Sequence, residues 1–168
     1  MTNSMTIDSP VGRLTITEAD GAVVQIRWGD GGEGDETTPL LAEAMRQLDA
    51  YFARRLRCFD LPLRPAGSAF DQRVWAAMQQ IAYGQTRRYG ELAMEVGSAP
   101  RAIGGACGRN PIPIVIPCHR VLASGGLGGY SGGEGLATKR TLLALEGRPA
   151  SMSAGRKRVG SLVGTASL

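Results

Sequence analysis

Histidine occurs once in the 168 residues, cysteine three times, and aromatic residues make up 5%. The cysteines, Cys58, Cys107 and Cys118, are odd in number and too few and irregularly spaced for a disulfide framework or a four-ligand zinc site. No metal or other cofactor is expected, and at least one thiol stays free. No apolar run approaches the roughly 18 residues that span a bilayer, so no membrane partner is expected. Residues 1–8 lack the basic and apolar segments of a secretory signal, which makes the cytoplasm the expected compartment. What is present, 43% hydrophobic and 20% charged residues, is an ordinary globular composition. A chain of this length buries roughly two-thirds of its unfolded surface without staples.

The net charge of +4 is unevenly spread. Residues 1–84 carry 8 Lys/Arg against 11 Asp/Glu, and residues 85–168 carry 11 against 4. The second half therefore suits a polyanion, through a nucleic-acid face or a basic tail containing Arg156, Lys157 and Arg158.

Apolar alternation from Thr6 to Gly29, interrupted by Asp20-Gly21, predicts two or three antiparallel strands with a tight hairpin. Residues 29–37 form an acidic, glycine-rich loop. Thr38 followed by Pro39 starts a helix on which Leu41, Met45, Leu48, Tyr51 and Leu56 recur at helical spacing. Phe59, Leu61 and Leu63 could add a strand before Pro65 and Gly67 mark a boundary. Ser68 and Asp71 have capping-box spacing and open a helix through Phe70, Val74, Met78 and Ile81. Tyr89–Val96, the turn Gly97-Ser98-Ala99 and Pro100–Gly108 read as a helix-turn-helix. Three prolines make residues 110–117 an extended or edge strand, and Leu136–Glu146 closes as a helix before Gly147 and Pro149.

Cys118-His119 is where a nucleophile meets the one imidazole. Arg120 and a carboxylate behind the ring would favour the thiolate. In an extended strand the two side chains point apart, so cooperation needs a backbone turn at Pro117-Cys118 or a bridging water; a buried cysteine beside a structural histidine is the plain alternative. Arg101-Ala102-Ile103-Gly104-Gly105-Ala106-Cys107-Gly108 puts three glycines in a helix at about 1 kcal/mol each relative to alanine. Either the helix enters a nucleic-acid groove behind its arginine, or it packs tightly on another helix. The loop Gly125–Gly133 carries Tyr130 and Ser131, a wall for a planar base or a plain surface loop. Trp28, Trp75 and Tyr83 read as core or interface aromatics, and Cys58 as structural.

These segments together resemble the O6-alkylguanine-DNA alkyltransferases, also called methylated-DNA–protein-cysteine methyltransferases, over about residues 5–147. The likeness rests on Ile116-Pro117-Cys118-His119-Arg120-Val121, with Arg101–Ala106 and Asn110-Pro111 before it and Gly129-Tyr130-Ser131-Gly132-Gly133 and Leu142–Glu146 after it. It implies an α+β chain. Residues 1–66 would be an N-terminal α/β, ribonuclease H-like domain with a small antiparallel sheet. Residues 67–150 would be a mostly helical, winged-helix-like domain with the helix-turn-helix, and residues 151–168 a disordered basic tail.

The resemblance also implies a monomer that binds double-stranded DNA through the minor groove, flips an O6-alkylguanine and transfers its alkyl group irreversibly to Cys118; O4-alkylthymine is a second candidate lesion. His119 would take the thiol proton through a water, Glu146 would orient His119, Tyr89 would donate to the leaving base, and Asn110 would hold the cysteine-bearing turn. Arg101 would fill the gap left by the flipped nucleotide. Ala102, Gly104, Gly105, Arg88 and Arg109 would contact DNA, and Val121, Tyr130 and Ser131 would line the base pocket. The sequence departs from the family's pattern at Arg88, where a capping Ser or Thr is usual, and in a shorter turn at Gly97–Pro100. Two rivals remain: an alkyltransferase-like sensor, which lacks the reactive cysteine, and a Cys-His-Glu hydrolase, which has no use for a basic glycine-rich helix.

Overall fold

The computed structural model describes residues 2–31 and 36–147. The expected tail, Pro149 and the centre of the acidic loop lie outside them. Strands β1 (Thr2–Ile7), β2 (Leu14–Ala19) and β3 (Ala22–Trp28) form an antiparallel sheet in that order. Asp20 and Gly21 both take positive φ, 47° and 80°, as a two-residue hairpin turn requires. Period-two patterning turns Leu14, Ile16 and Ile26 into the core.

Helix α1 (Pro39–Phe52) starts where Thr38 Oγ1 accepts the Leu41 N–H at 3.1 Å, and it lies against the sheet with Leu41, Ala44, Leu48 and Tyr51 inward. It ends earlier than the spacing predicts: Arg54 takes φ 61°, so Leu56 falls beyond it. The strand expected over Phe59–Leu63 shrinks to a single parallel bridge between Leu63 and Val23, because Pro62 and Pro65 remove ladder donors.

Helix α2 (Ala69–Gln79) opens on the Ser68–Asp71 capping box. β4 (Arg87–Arg88) runs directly into α3 (Tyr89–Val96), and Gly97 at φ 72° turns the chain into α4 (Pro100–Gly108). The start at Arg88 lacks a capping hydroxyl, and the Glu91 carboxylate accepts the Arg88 N–H at 2.7 Å instead. Leu92, Ala93, Ile103 and Ala106 are buried where α2, α3 and α4 meet. After a 3-10 turn, Cys118–Arg120, the short β5 (Val121–Leu122) pairs in parallel with β4, and α5 (Leu136–Leu145) is the last helix among the described residues. One hydrophobic cluster runs from Ile7 and Tyr51 to Ile116 and Leu142, joining the sheet side to the helical side. Among the described residues no helix is long and apolar enough to cross a membrane.

Candidate active site

Residues 110–117 are a compact turn, which corrects the expected extended strand. The Ile116 N–H reaches back to the Ile112 carbonyl at 2.9 Å, and Ile114, buried, sits at φ 74°, a conformation β-branched residues rarely adopt. Prolines supply no donors here, so the Asn110 side chain does: its Nδ2 donates to the Ile116 carbonyl and its Oδ1 accepts the Ile112 N–H, each at 2.9 Å. The 3-10 turn that follows then carries Cys118, His119 and Arg120, all buried.

Cys118 lines a cavity of about 960 Å³. Arg101, Gly104, Cys107 and Gly108 of α4 form one wall, Gly129–Gly133 another, and Gln25–Trp28 of β3 a third; Tyr89 and Asn110 also face it. Arg101 and Gly104 are one turn apart on the open side of α4, and nothing lies within 4 Å of where a Gly104 Cβ would stand. The site thus collects Cys118, Tyr89, Asn110, Arg101, Gly104, Tyr130 and Ser131 around one space.

Behind the thiol, His119 Nε2 lies 2.8 Å from Glu146 Oε2. Burial pushes the Glu146 carboxyl up, but the bonds from His119 and Arg120 outweigh it and hold it at about 2. An ionised carboxylate can only accept, so Nε2 carries the ring proton and Nδ1 keeps its lone pair. Nδ1 is buried with no hydrogen-bond partner among the described residues. Burial also pushes the imidazole below its ordinary range, with Glu146 opposing, and so favours the neutral ring.

Burial raises the Cys118 thiol, while Asn110, Lys139 and Tyr130 pull it down. The Tyr130 hydroxyl is buried without a well-formed hydrogen bond, close enough to feel the sulfur. Burial and the two neighbouring thiols push the Tyr89 phenol up to about 12, so it remains a donor.

Three expected site residues stand elsewhere. Arg109, off the cavity wall, pairs with Asp71, with Nη2 at 2.7 Å and Nε at 3.1 Å, and so ties the end of α4 to the start of α2. Val121 is not on the cavity wall; it is wholly buried and its carbonyl accepts from Lys139. Arg120 spends its guanidinium on Glu146 and the Ile81 carbonyl, away from the sulfur. Ala102, Gly105 and Arg88 also lie off the cavity wall.

Other residues the sequence reading passed over belong to the site. Lys139 is wholly buried and donates to the carbonyls of Val121, Leu127 and Gly129 at 2.7, 2.6 and 3.1 Å, pinning the loop that carries Tyr130. Its signal was there: Lys139, Leu142, Leu143 and Glu146 share one helical face, which puts two charges on a core stripe. Trp28, expected only as packing, is a cavity wall, and Cys58, expected to be structural, is exposed.

A family model described as the 6-O-methylguanine DNA methyltransferase DNA binding domain matches residues 69–148, and one described as the ribonuclease-like domain of the same proteins matches residues 4–65. The chain is 49% identical over 159 residues to a methylated-DNA–protein-cysteine methyltransferase of Mycolicibacterium paratuberculosis, spanning 88% of this chain and 95% of that one. It resembles the crystal structure of Mycobacterium tuberculosis O6-methylguanine methyltransferase with a TM-score of 0.77 at 42% identity, over 87% of this chain and 93% of the other. A structure of the Mycobacterium tuberculosis OGT in complex with DNA also matches with a TM-score of 0.77 at 43% identity, over 88% and 96% of the two chains.

Proposed function

The chain belongs to the 6-O-methylguanine DNA methyltransferase family, and from that premise we propose that it repairs DNA by moving an alkyl group from guanine O6 to the sulfur of Cys118. The observation that supports this most is a thiol on the wall of a cavity with ample room for a base and a buried His119–Glu146 pair behind it. The protein is a single-turnover methylated-DNA–protein-cysteine methyltransferase.

The step is an in-line displacement. A sulfur lone pair forms the new S–C bond, the C–O6 bond breaks, and its electron pair passes to the guanine. The thiol proton goes through a bridging water to His119 Nδ1, and Glu146 stabilises the imidazolium that results. Tyr89 stabilises the departing base by donating a hydrogen bond, which its raised phenol pKa allows. A stacked guanine does not present its O6-alkyl carbon to a side chain, so the nucleotide must flip at a cost of a few kcal/mol. Arg101 at the cavity edge fills the gap, and the open glycine face of α4 lies against the minor groove. Tyr130 and Ser131 contact the flipped base, and Asn110 fixes the nucleophile's turn.

Residues 67–150 act as the DNA-binding and alkyl-transfer domain on an N-terminal domain of residues 1–66. The reading includes action as a monomer in the cytoplasm and O4-alkylthymine as a second lesion.

The test is intact and peptide mass spectrometry after incubation with excess duplex carrying one O6-methylguanine. One added methyl per protein, on the Cys118 peptide, is the expected result. Tight lesion binding without an adduct would make the protein a sensor, and neither adduct nor salt-sensitive binding would favour a hydrolase.

A further inference from the structure

Tyr51, on α1 and 95 residues away in sequence, donates its hydroxyl to Glu146 Oε2 at 2.5 Å inside the core. The same oxygen receives His119 Nε2 at 2.8 Å and Arg120 Nη2 at 3.0 Å, while Arg120 Nε takes Oε1 at 2.9 Å. A carboxylate oxygen offers about two lone pairs, so three donors on Oε2 share its charge, and what one draws the others lose.

We propose that Tyr51 is a positioning residue of the alkyl-transfer reaction: it fixes Glu146 for His119 and limits how much of the carboxylate's charge the imidazole receives. The proposal rests on His119 being the base that takes the Cys118 proton. Such a base must be neutral when the thiol needs it. A carboxylate that gave all its charge to His119 would hold the ring protonated at neutral pH and remove the acceptor.

Packing alone does not account for a tyrosine here. The ring of Tyr51 is already held by Phe52, Phe59 and Tyr83, at centroid distances of 5.2, 5.3 and 6.1 Å. A phenylalanine would make the same ring contacts, and only the hydroxyl reaches Glu146. Burial first, and Glu146 second, push the Tyr51 phenol far above its ordinary range, so it donates at every working pH.

The groups facing the His119–Glu146 pair come from every packed element. Cys118 and Arg120 flank His119 on its own turn. Lys139 on α5 and Arg120 lower the basicity of His119, while Glu146 raises it. Tyr83, after α2, donates to the Leu145 carbonyl at 3.3 Å and lies under Arg57 and Arg120, and the Gly84 N–H stands 3.5 Å from Glu146 Oε1. Tyr51 is the neutral donor from the N-terminal half.

The test is Tyr51→Phe. With one histidine in the chain, imidazole NMR reports His119 without assignment ambiguity. In the variant, His119 should titrate higher by about half a unit to one unit, as expected for losing one of several hydrogen bonds to a charged group. The acid limb of single-turnover methyl transfer to Cys118 should move up with it, slowing transfer about threefold to tenfold below that limb and converging with wild type at higher pH. Should Tyr51→Phe fail to fold, 3-fluorotyrosine at position 51 keeps the shape, strengthens the donor, and should move both readouts the opposite way.

An unmoved His119 titration and acid limb, or a loss of rate equal at all pH values, overturns the proposal. A wild-type protein that transfers no methyl instead overturns the functional reading, and the His119 titration still distinguishes the two failures.

Discussion

Trp28 stands edge-on to Tyr130, with ring centroids 6.3 Å apart and planes at 87°. The last residue of the N-terminal sheet thus braces the aromatic residue assigned to the base pocket. The indole is itself fixed by its Nε1, which donates to the Val11 carbonyl at 2.9 Å. Gly132 and Gly133 pass so close that an added Cβ would come within 2.5 and 3.0 Å of the indole atoms, so glycine is what lets the loop lie on Trp28.

Gly132→Ala should therefore displace the loop and destabilise the protein by about 1–3 kcal/mol, the usual range for overpacking. Methyl transfer should slow with it. Denaturation and transfer rates for Gly132→Ala, Trp28→Leu and the double variant give a coupling energy. Strictly additive effects would show that the indole does not brace the loop.

Arg101→Ala should slow transfer from O6-methylguanine in duplex DNA about tenfold, because a flipped state that loses about 1.4 kcal/mol of support is ten times less populated. The free base O6-methylguanine needs no flipping, so the rate of any methyl transfer from it to Cys118 should be unchanged. Equal losses on both substrates would take Arg101 out of the flipping step.

Lys139→Met should leave three carbonyls, that of Val121 buried and those of Leu127 and Gly129 partly so, without their shared donor, a loss of about 1–3 kcal/mol. The Cys118 thiol, which Lys139 draws down, should titrate higher. Thiol titration by ultraviolet absorbance and protease sensitivity of residues 123–133 check both effects. A variant of wild-type stability would mean that the carbonyls find other partners.

Stability should fall as pH drops through about 6.5. Burial holds His119 below its ordinary value in the folded state, so the unfolded chain takes up a proton there that the folded chain refuses. Glu146, held at about 2 when folded, has the usual carboxylate value when unfolded, so its contribution is complete above about 4.5 and is lost as pH falls toward 2. Urea denaturation at pH 7.5, 6 and 5 should show the first decline in wild type and its absence in a folded His119→Gln variant. A flat wild-type profile over that range would contradict the buried, neutral imidazole.

Much of the local structure is legible because it depends on neighbours in sequence. Asp20-Gly21, Thr38-Pro39, Ser68 with Asp71, and Gly97 each carry the turn or cap chemistry their positions need, and the structure uses all four. The segment 110–117 misled because prolines exclude a helix without choosing between a strand and a turn. The choice fell to the side chain of Asn110, whose two hydrogen bonds close the turn on either side of Ile114. The Arg109–Asp71 pair was not legible, because a basic residue beside a glycine-rich helix reads the same whether or not a carboxylate stands within reach.

The sequence by itself determined that one imidazole had to serve the chemistry, that Cys118 stood beside it, and that a basic, glycine-rich helix accompanied them. Those are matters of composition and near-neighbour spacing. Tertiary structure alone decided that Tyr51 and Arg120 converge on Glu146, that Lys139 gathers three carbonyls, and that Trp28 walls the cavity. Hydrogen bonds and ring contacts act over a few ångströms, and only the folded core brings residues 51 and 146 that close.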